Sequence, residues 1–383
     1  MPESPMADWD PRSAEVLNDQ RRAYDRMREH CPVAWSDYAH WSVFRHADVS
    51  RILQDPERFS SQASRHISVP NGMDPPEHTA YRSIIEKYFS PERMAAFEPV
   101  CQDIAEDLAL TALASERTEL MTSFAQPFAL RIQCAFMGWP LNLQEPLQSW
   151  VTRNNRATLE RDRPVLAALA AEFEELIAGL LAERRTASEP LDDLTSALMQ
   201  ETVAGRPLND LEIASILRNW TAGEVGTIAA SVGIIAQFLA SHPDLQRQLR
   251  EDPALLWQAN DEILRIHGPL VDNRRRTTCP VQLGDRQIAA DQRVTINWIA
   301  ANRDPEVFPE PERFSLERDP SLNLLYGAGI HVCPGAPLAR MELVVIIDKL
   351  LQHTGQLRLI DTEPARLATY PASGYASLPL SLR

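Results

Sequence analysis

One cysteine, Cys333, occupies a position suited to metal binding. It lies in the segment YGAGIHVCPGAPLAR (residues 326–340), between glycines, and a helix-forming run with Pro337 in its first turn follows. A helix N-terminus and loop N–H groups favour a negatively charged sulfur, and glycines let the backbone approach it closely. The spacing therefore predicts a thiolate metal ligand. The alternative is a buried cysteine in a loop that happens to precede a helix.

The other four cysteines lack such a context. Cys31, Cys101, Cys134 and Cys279 are widely spaced and form no CxxC pair. A total of five argues against a disulfide framework and against a zinc finger, and it fits a reducing cytosol. We expect these four cysteines to be structural and the protein to be cytoplasmic.

Length and charge narrow the class of protein. The 383 residues are 44% hydrophobic, with no linker and no repeat, which indicates one large domain over residues 1–383. The N-terminus has no apolar stretch long enough for a signal peptide or membrane anchor. The net charge of −15 argues against nucleic acid and an anionic membrane as partners. Only two lysines are present, Lys87 and Lys349.

Helical periodicity dominates the elements that must position Cys333. A β-hairpin is predicted over PVAWSDYAHWSVFRH, and helices broken by proline, asparagine and aspartate follow from about residue 79 to 265. The longest helix runs for over 30 residues from a cap near Asn209. Short strands are expected after residue 275, and a closing hairpin over YPASGYASLPLSLR. The fold class is therefore mainly α with a minor β region.

The segment around Cys333 resembles the haem-binding signature of the cytochrome P450 family, F-x-x-G-x-H-x-C-x-G, with Tyr326 in place of phenylalanine. Four further family motifs occur in order, at PPEHTAYR (75–82), AGEVGT (222–227), EILR (262–265) and ANRDPEVFPEPERF (301–314). The resemblance implies a P450 fold with a long central helix crossing the haem. It also implies haem b as cofactor, with Cys333 as the axial thiolate ligand of its iron.

The resemblance also assigns supporting residues. His78, Arg82, Arg275 and His331 are expected to bind the haem propionates. Arg275 is preferred over Arg274 and Arg276 by its spacing to the following strand. Three other residues are expected to form a structural ion network on the cysteine side: Glu262, Arg265 and Arg313.

The central helix departs from the family pattern [A/G]-G-x-[D/E]-T, an acid–alcohol pair that relays protons. Matching the two AG pairs puts Val225 and Gly226 in the acid and alcohol positions. The register preferred here avoids a gap inside a long helix and puts Thr227 at the alcohol, with Gly226 replacing the acid. In either register the usual acid is missing. Glu224, three residues before Thr227, is the catalytic candidate that could replace it, unless it points away and pairs with an arginine.

The loop before DPPEHT is short for the family, which predicts that the small helix over the pocket is absent. Arg65, His66 and Ile67 are then expected to face the substrate, unless they form an exposed turn. Leu270 and Val271 are further substrate candidates.

The resemblance implies a monooxygenase that oxidises a small-molecule or peptide substrate by hydroxylation, demethylation or oxidative coupling. Its electrons would come from a ferredoxin or flavodoxin with its reductase, because the chain carries no flavin or iron–sulfur motif. Alternatives are cross-linking of aromatic side chains in a peptide, a peroxide-driven haem oxidase and, least favoured, a non-catalytic haem sensor.

Overall fold

Helices form most of the chain in the computed structural model, which describes residues 6–64, 66–112, 114–189 and 191–382. This agrees with the fold class predicted from the sequence. The α-helices of the described residues are α1 (Ala14–Asn18), α2 (Gln20–His30), α3 (His46–Gln54), α4 (Glu77–Glu86), α5 (Pro91–Ala112), α6 (Gln126–Met137), α7 (Gln144–Glu160), α8 (Arg163–Thr186), α9 (Leu194–Leu198), α10 (Asp210–Ser241), α11 (Pro243–Glu251), α12 (Leu256–His267), α13 (Trp298–Ala301) and α14 (Ala336–Gln352).

Short strands form small sheets at the edges of the helical body. They are β1 (Val33–Ser36), β2 (His40–Val43), β3 (Phe59–Ser60), β4 (Arg117–Glu119), β5 (Thr202–Val203), β6 (Arg206–Pro207), β7 (Asp272–Thr277), β8 (Val281–Leu283), β9 (Arg286–Ile288), β10 (Arg293–Asn297), β11 (Arg358–Leu359), β12 (Arg366–Leu367), β13 (Tyr375–Ser377) and β14 (Pro379–Ser381). The largest sheet has the order β1-β2-β10-β7-β3. The predicted hairpin is confirmed, since β1 and β2 pair antiparallel with Val33 opposite Val43.

The central helix α10 begins where the sequence predicts. Asn209 caps it, and Glu212 closes a capping box by accepting from the Asn209 backbone N–H. The helix packs against α6, α8, α12 and α14. It is long and apolar enough to span a membrane by length and composition, but 67% of its most apolar window is buried inside the protein. That burial is typical of the core helix of a globular fold.

The predicted closing hairpin is wrong. Strand β13 pairs with β12, whereas β14 pairs with β11 and β4, so the two tail strands belong to different sheets. Leu378, between them, donates its N–H to the Glu119 carboxylate and accepts from the N–H of Leu120. These bonds hold the tail against β4. Strands β13 and β14 cannot pair with each other, because too few residues lie between them to form a turn.

Candidate active site

The loop that carries Cys333 is held in one conformation by glycine and by backbone hydrogen bonds. Gly329 has φ +68°, and a Cβ there would lie 2.2 Å from the backbone oxygen of Leu53 in α3. Only glycine therefore allows this close approach. The Cys333 N–H donates to the Tyr326 backbone oxygen at 2.8 Å, and α14 begins three residues later. The sulfur is thus presented beside a helix N-terminus, as predicted.

The Cys333 side chain faces a space inside the protein. It is solvent-accessible, yet it is enclosed deeply enough that burial raises the pKa of its thiol. The backbone N–H groups of Gly335 and Ala336 oppose that effect by hydrogen bonding to the sulfur, although the pKa remains raised overall. A thiolate here therefore needs a cationic partner, and a bound metal ion would supply one.

The central helix α10 passes close to Cys333, since Glu224 adds to the effect of burial in raising the pKa of the Cys333 thiol. Ala222, Gly223 and Gly226 are exposed although they lie in the middle of the core helix α10. A Cβ added at either glycine would meet no atom within 4 Å, so the helix presents bare backbone to open space. The Thr227 hydroxyl donates to the backbone oxygen of Gly223, one turn earlier. The small residues of AGEVGT thus provide room for a flat group between α10 and the cysteine loop.

Glu224 pairs with a second acid, which the sequence reading missed. Its partner is the side chain of Glu342 in α14, and neither forms an ion pair with an arginine within the described residues. Both oxygens of Glu342 and Oε1 of Glu224 are buried without an ordinary hydrogen-bond donor in that part of the chain. Two ionised carboxylates cannot hydrogen-bond each other, so the pair must retain a proton. Burial, offset by Glu342, raises the pKa of Glu224 to about 7.

Glu342 carries a weak sequence signal that was overlooked. It is an acid in the apolar run MELVVII, where the helical period places it on the buried face of α14. Burial and the neighbouring Glu224 raise the pKa of Glu342 well above its usual value. A buried acid without a cation is costly unless it stays protonated, and this marks the position as unusual.

The four predicted propionate ligands converge near the cysteine loop. The rings of His78 and His331 meet edge to face at 4.4 Å, and Arg82 and Arg275 are close enough to lower the pKa of one or both rings. Nε2 of His78 is buried without a partner. Burial lowers the pKa of Arg275 to about 10, with Asp74 opposing the shift. Buried cations and an orphaned donor fit a group that carries carboxylates, so the residues present suit haem.

Some of the predicted propionate ligands already have partners within the protein. Arg82 already binds Glu86 one turn later at 2.7 Å, and His331 lies 2.8 Å from the Ser61 hydroxyl. Burial, followed by Arg275 and His78, lowers the pKa of His331 to about 3, so its ring is neutral. His331 can therefore contribute as a neutral donor, and the positive charge comes from the arginines.

Comparison with known proteins identifies the family. The family model for cytochrome P450 matches residues 42–354, most of the chain. This chain belongs to the cytochrome P450 family. It is 33% identical over 358 residues to the erythromycin C-12 hydroxylase of Saccharopolyspora erythraea, covering 89% of this chain and 88% of that protein. It is 29% identical to the cyclomarin C epoxidase CymV of Salinispora arenicola, covering 93% and 94%.

Solved P450 structures have the same fold. A mutant of P450 EryK in complex with erythromycin B superposes with a TM-score of 0.86 at 30% identity, covering 96% of this chain and 97% of the other. HmtN, a post-tailoring hydroxylase of himastatin biosynthesis, superposes with a TM-score of 0.83 at 28% identity, covering 95% and 97%. The chain is therefore a P450 monooxygenase, for which the family implies a haem-thiolate cofactor.

The short loop of this P450 has no helical lid among its described residues. From 61 to 73, leaving out Arg65, which lies outside the described residues, no helix is formed. His66 is exposed and Ile67 is 40% exposed, as the open-turn alternative requires. The Ile67 backbone oxygen accepts from Arg218 at 2.6 Å and from Ser215 at 3.2 Å, both in α10. Hydrogen bonds to the central helix thus fix the loop that takes the place of the lid.

The two candidates after α12 differ in exposure. Leu270 is 38% exposed, which leaves it available to a substrate. Val271 is only 2% exposed and packs in a core cluster with Tyr370 and Ile299. The structure therefore places Val271 in the core rather than at a substrate surface.

The structural ion network exists, but one predicted member is wrong. Arg265 donates to both oxygens of Glu262, at 2.7 and 3.0 Å, and to the backbone oxygen of Asn302 at 2.7 Å. Arg318, not Arg313, completes the network by donating to Glu262 at 2.8 Å. Arg313 is exposed and pairs with Glu310; only its backbone oxygen takes part, as an acceptor from Arg318. Arg318 lies in the irregular stretch SLERDPS, whose path no sequence period predicts.

The cysteines and lysines complete the inventory. Cys101 and Cys134 are buried, and Cys31 and Cys279 are half-buried, in line with structural roles. Lys87 pairs with Glu201 at 3.1 Å and Lys349 with Glu106 at 2.8 Å. Both lysines are therefore neutralised locally rather than presented as free positive charges.

Proposed function

We propose that this P450 uses O₂ and electrons from a ferredoxin or flavodoxin with its reductase to oxidise an organic small molecule or peptide in the cytoplasm. The observation that carries the proposal is Cys333, held beside the start of α14, together with the bare backbone that α10 presents at Gly223 and Gly226. When bound, haem b with a thiolate ligand supplies oxygen activation strong enough to attack unactivated carbon.

The chain's own residues would hold the cofactor at three points. Cys333 would bind the iron through its sulfur, and the amides of Gly335 and Ala336 would support the charged form of that sulfur. Arg82 and Arg275 supply positive charge for the propionates, and His78 offers its unpartnered buried Nε2. The negative sulfur ligand and the cations that would balance the propionates lie on separate elements. The bound cofactor would therefore connect α4, β7 and α14.

Glu224 and Glu342 are proposed to hold the proton that oxygen activation consumes. A carboxyl group whose pKa lies near 7 can give up a proton and regain it at neutral pH. Glu224 adjoins the exposed stretch of α10, and Glu342 lies behind it in α14. Thr227, whose hydroxyl bonds the helix backbone, would orient the path rather than supply the proton.

The relatives favour oxidation of a large specialised metabolite. The two curated relatives named above are a hydroxylase and an epoxidase, and HmtN acts in himastatin biosynthesis. A loop without a helical lid suits a bulky substrate. We therefore propose hydroxylation or epoxidation of a bulky substrate as the first reactions to test, with demethylation and oxidative coupling of a peptide next.

Replacing Cys333 by alanine tests the proposal. The reduced, carbon-monoxide-bound wild type should show the red-shifted Soret band of thiolate ligation, and Cys333→Ala should lose it while Cys279→Ala keeps it. Turnover of bound compounds should require O₂, reductase and ferredoxin or flavodoxin. Retention of the band in Cys333→Ala would refute the ligand assignment, and equal turnover with hydrogen peroxide alone would favour the peroxide-driven alternative.

A further inference from the structure

Three arginines converge on one face of the five-stranded sheet, and the functions assigned so far use none of them. In this sheet Arg293 of β10 lies opposite Arg276 of β7, and Thr295 lies opposite Arg274. Arg274 and Arg293 therefore share a face, because alternate residues of a strand point the same way. Arg275, the proposed propionate ligand, points to the other face. The arginine cluster is thus separate from the propionate site.

The third arginine comes from the link between two long helices. Arg161 lies between α7 and α8, and its Nη2 donates to the backbone oxygens of Asp37 and Tyr38. Arg293 Nη2 donates to the same Tyr38 oxygen at 2.5 Å. The guanidinium of Arg161 also stacks over the Tyr38 ring, with its Cζ 4.5 Å from the ring centre. Two cations thus share one neutral acceptor.

The positive charge of this cluster is not balanced. None of Arg161, Arg274 and Arg293 forms a salt bridge with a carboxylate in the described part of the chain. Burial opposes the charge of Arg274, but Asp272 and Tyr370 raise its pKa overall. The uncompensated excess of positive charge therefore lies at Arg161 and Arg293, whose pKa values are lowered. This excess occurs in a protein whose net charge is −15. Solubility does not explain why an acidic protein keeps a cluster of cations, so we look for another reason.

Burial and mutual repulsion make the excess costly. Burial, then Arg274 and Arg161, lower the pKa of Arg293 to about 10, and Nε of Arg293 is buried without a partner. Burial and Arg12 lower the pKa of Arg161. Burial and the three arginines together lower the pKa of His40 to about 4, so this histidine adds no charge. An anion between the arginines would relieve the repulsion and satisfy the orphaned donor.

There is room for such an anion. A cavity of about 220 Å³ adjoins the cluster and is lined by Gln62, Ala63, Ser64, Arg276 and Arg293. Gln62, Ala63 and Ser64 belong to the loop between β3 and α4. Of the three arginines, Arg293 lines this cavity, and Arg274 is exposed on the same face of the sheet. Arg293 therefore borders open space beside the loop that precedes α4.

We infer that Arg161, Arg274 and Arg293 form a subsite that binds an oxyanion, a carboxylate or a phosphate monoester, carried by the substrate. This inference rests on the proposed function only in that the ligand is the molecule to be oxidised. Guanidinium groups recognise both oxyanions through paired N–H donors. Arg161 would bind the oxyanion from the α7–α8 link, and Arg293 would bind it from the sheet. A bound oxyanion would therefore connect the link and the sheet.

The test compares acids with neutral analogues of the same carbon skeleton. Binding of dodecanoate, dodecyl phosphate and dodecanamide, and of benzoate, phenyl phosphate and benzamide, is measured by calorimetry on the haem-loaded protein. In the wild type, at least one anion should bind about tenfold or more tighter than its amide. The preference should fall severalfold in Arg161→Gln and in Arg293→Gln. It should also fall when chloride is raised from about 0.05 to about 0.5 M.

The control variant is Arg153→Gln, in the helix α7 that precedes Arg161, and the Arg153 side chain pairs with Glu172 at the surface. It should keep the full preference. A carboxylate preference without a phosphate preference identifies the substrate as an acid, and the reverse identifies a phosphate ester. Equal binding of anions and amides, or a preference unchanged in both arginine variants, overturns the subsite.

The outcomes separate this inference from the proposed function. If the anion preference depends on Arg161 and Arg293 but turnover with redox partners is absent, the subsite stands and the reaction class falls. If the thiolate band and turnover are present but no anion preference exists, only the subsite falls. The carbon monoxide spectrum of each variant verifies that a loss of binding does not come from loss of the fold.

Discussion

Two buried clusters contain glutamates, and they are built in opposite ways. Glu262 is surrounded by opposite charge, with Arg265 and Arg318 donating to its oxygens at 2.7–3.0 Å. Glu224 and Glu342 face each other without a cation. Both clusters lie on helices that pack against α14, since Glu262 belongs to α12 and Glu224 to α10. The difference therefore lies in charge compensation rather than in location.

This contrast indicates different roles. Breaking a compensated ion pair leaves a bare charge and costs stability, so the Glu262 cluster is suited to holding elements together. Two carboxyl groups do not attract each other when both are ionised, so a buried pair must keep a proton. Such a pair is suited to storing a proton. A protein that needed only stability at Glu224 would do better with an apolar residue, which is the reason to look for a functional role there.

The largest effect is expected from Glu262→Gln. The change leaves Arg265, which is 1% exposed, and Arg318 without their carboxylate, at a cost of about 3–5 kcal/mol in the free energy of unfolding. Urea unfolding of the haem-loaded protein measures it. Glu172→Gln, which breaks the exposed pair with Arg153, is the control and should change stability by less than about 1 kcal/mol. Equal small effects of both changes would mean that the compensated cluster does not hold the fold together.

Glu224→Gln should act mainly on turnover, and on stability only through its pH dependence. Glutamine keeps the shape and can donate to Glu342, so the fold should be unaffected. Loss of a general acid is expected to slow O₂-dependent turnover roughly 10²-fold. Ligand-induced changes of the haem spectrum and peroxide-supported turnover should change much less. Full coupled turnover in Glu224→Gln would show that the proton comes through water or the substrate.

The acid pair should also be visible in the pH dependence of stability. Because burial raises the pKa of Glu224 to about 7, the folded protein binds a proton that the unfolded chain releases at about 4.5. Its contribution to the free energy of unfolding is complete below about 4.5 and is lost as the pH rises through about 7, by at most about 1.4 kcal/mol per pH unit for one proton.

Comparing variants isolates this contribution. The slope between pH 4.5 and 7 should be shallower in Glu224→Gln than in the wild type. The other groups that face the pair are Cys101, Cys333 and Tyr326, and the pKa of each is raised away from this window. Identical slopes in wild type and variant would show that the two acids do not share a proton.

Local signals in the sequence predicted most of the framework. The Asn209 cap, the glycines around Cys333 and the β1–β2 alternation each depend on neighbours along the chain, and the structure bears out each element. Partners distant in the sequence were harder. Glu342 lies 118 positions after Glu224 (342 − 224 = 118), and only packing of α14 against α10 brings the two together. The arginine cluster likewise depends on the strand register and on the α7–α8 link.

The irregular stretch after α13 shows the same limit of prediction from sequence. Substitutions there are expected to have the smallest effects. The PERF motif pointed to Arg313, but without a helix or strand period the sequence cannot say which arginine turns inward. Arg318 is 13% exposed and Arg313 is 71% exposed.

Arg318→Gln should therefore lower the free energy of unfolding by about 1–3 kcal/mol, because a hydrogen bond to a buried charge is lost. Arg313→Gln should stay within about 0.5 kcal/mol, as expected of an exposed side chain. Urea unfolding of the two variants side by side checks the assignment. The reverse order would restore Arg313 to the network and would mean that Glu262 is compensated by a different partner in solution.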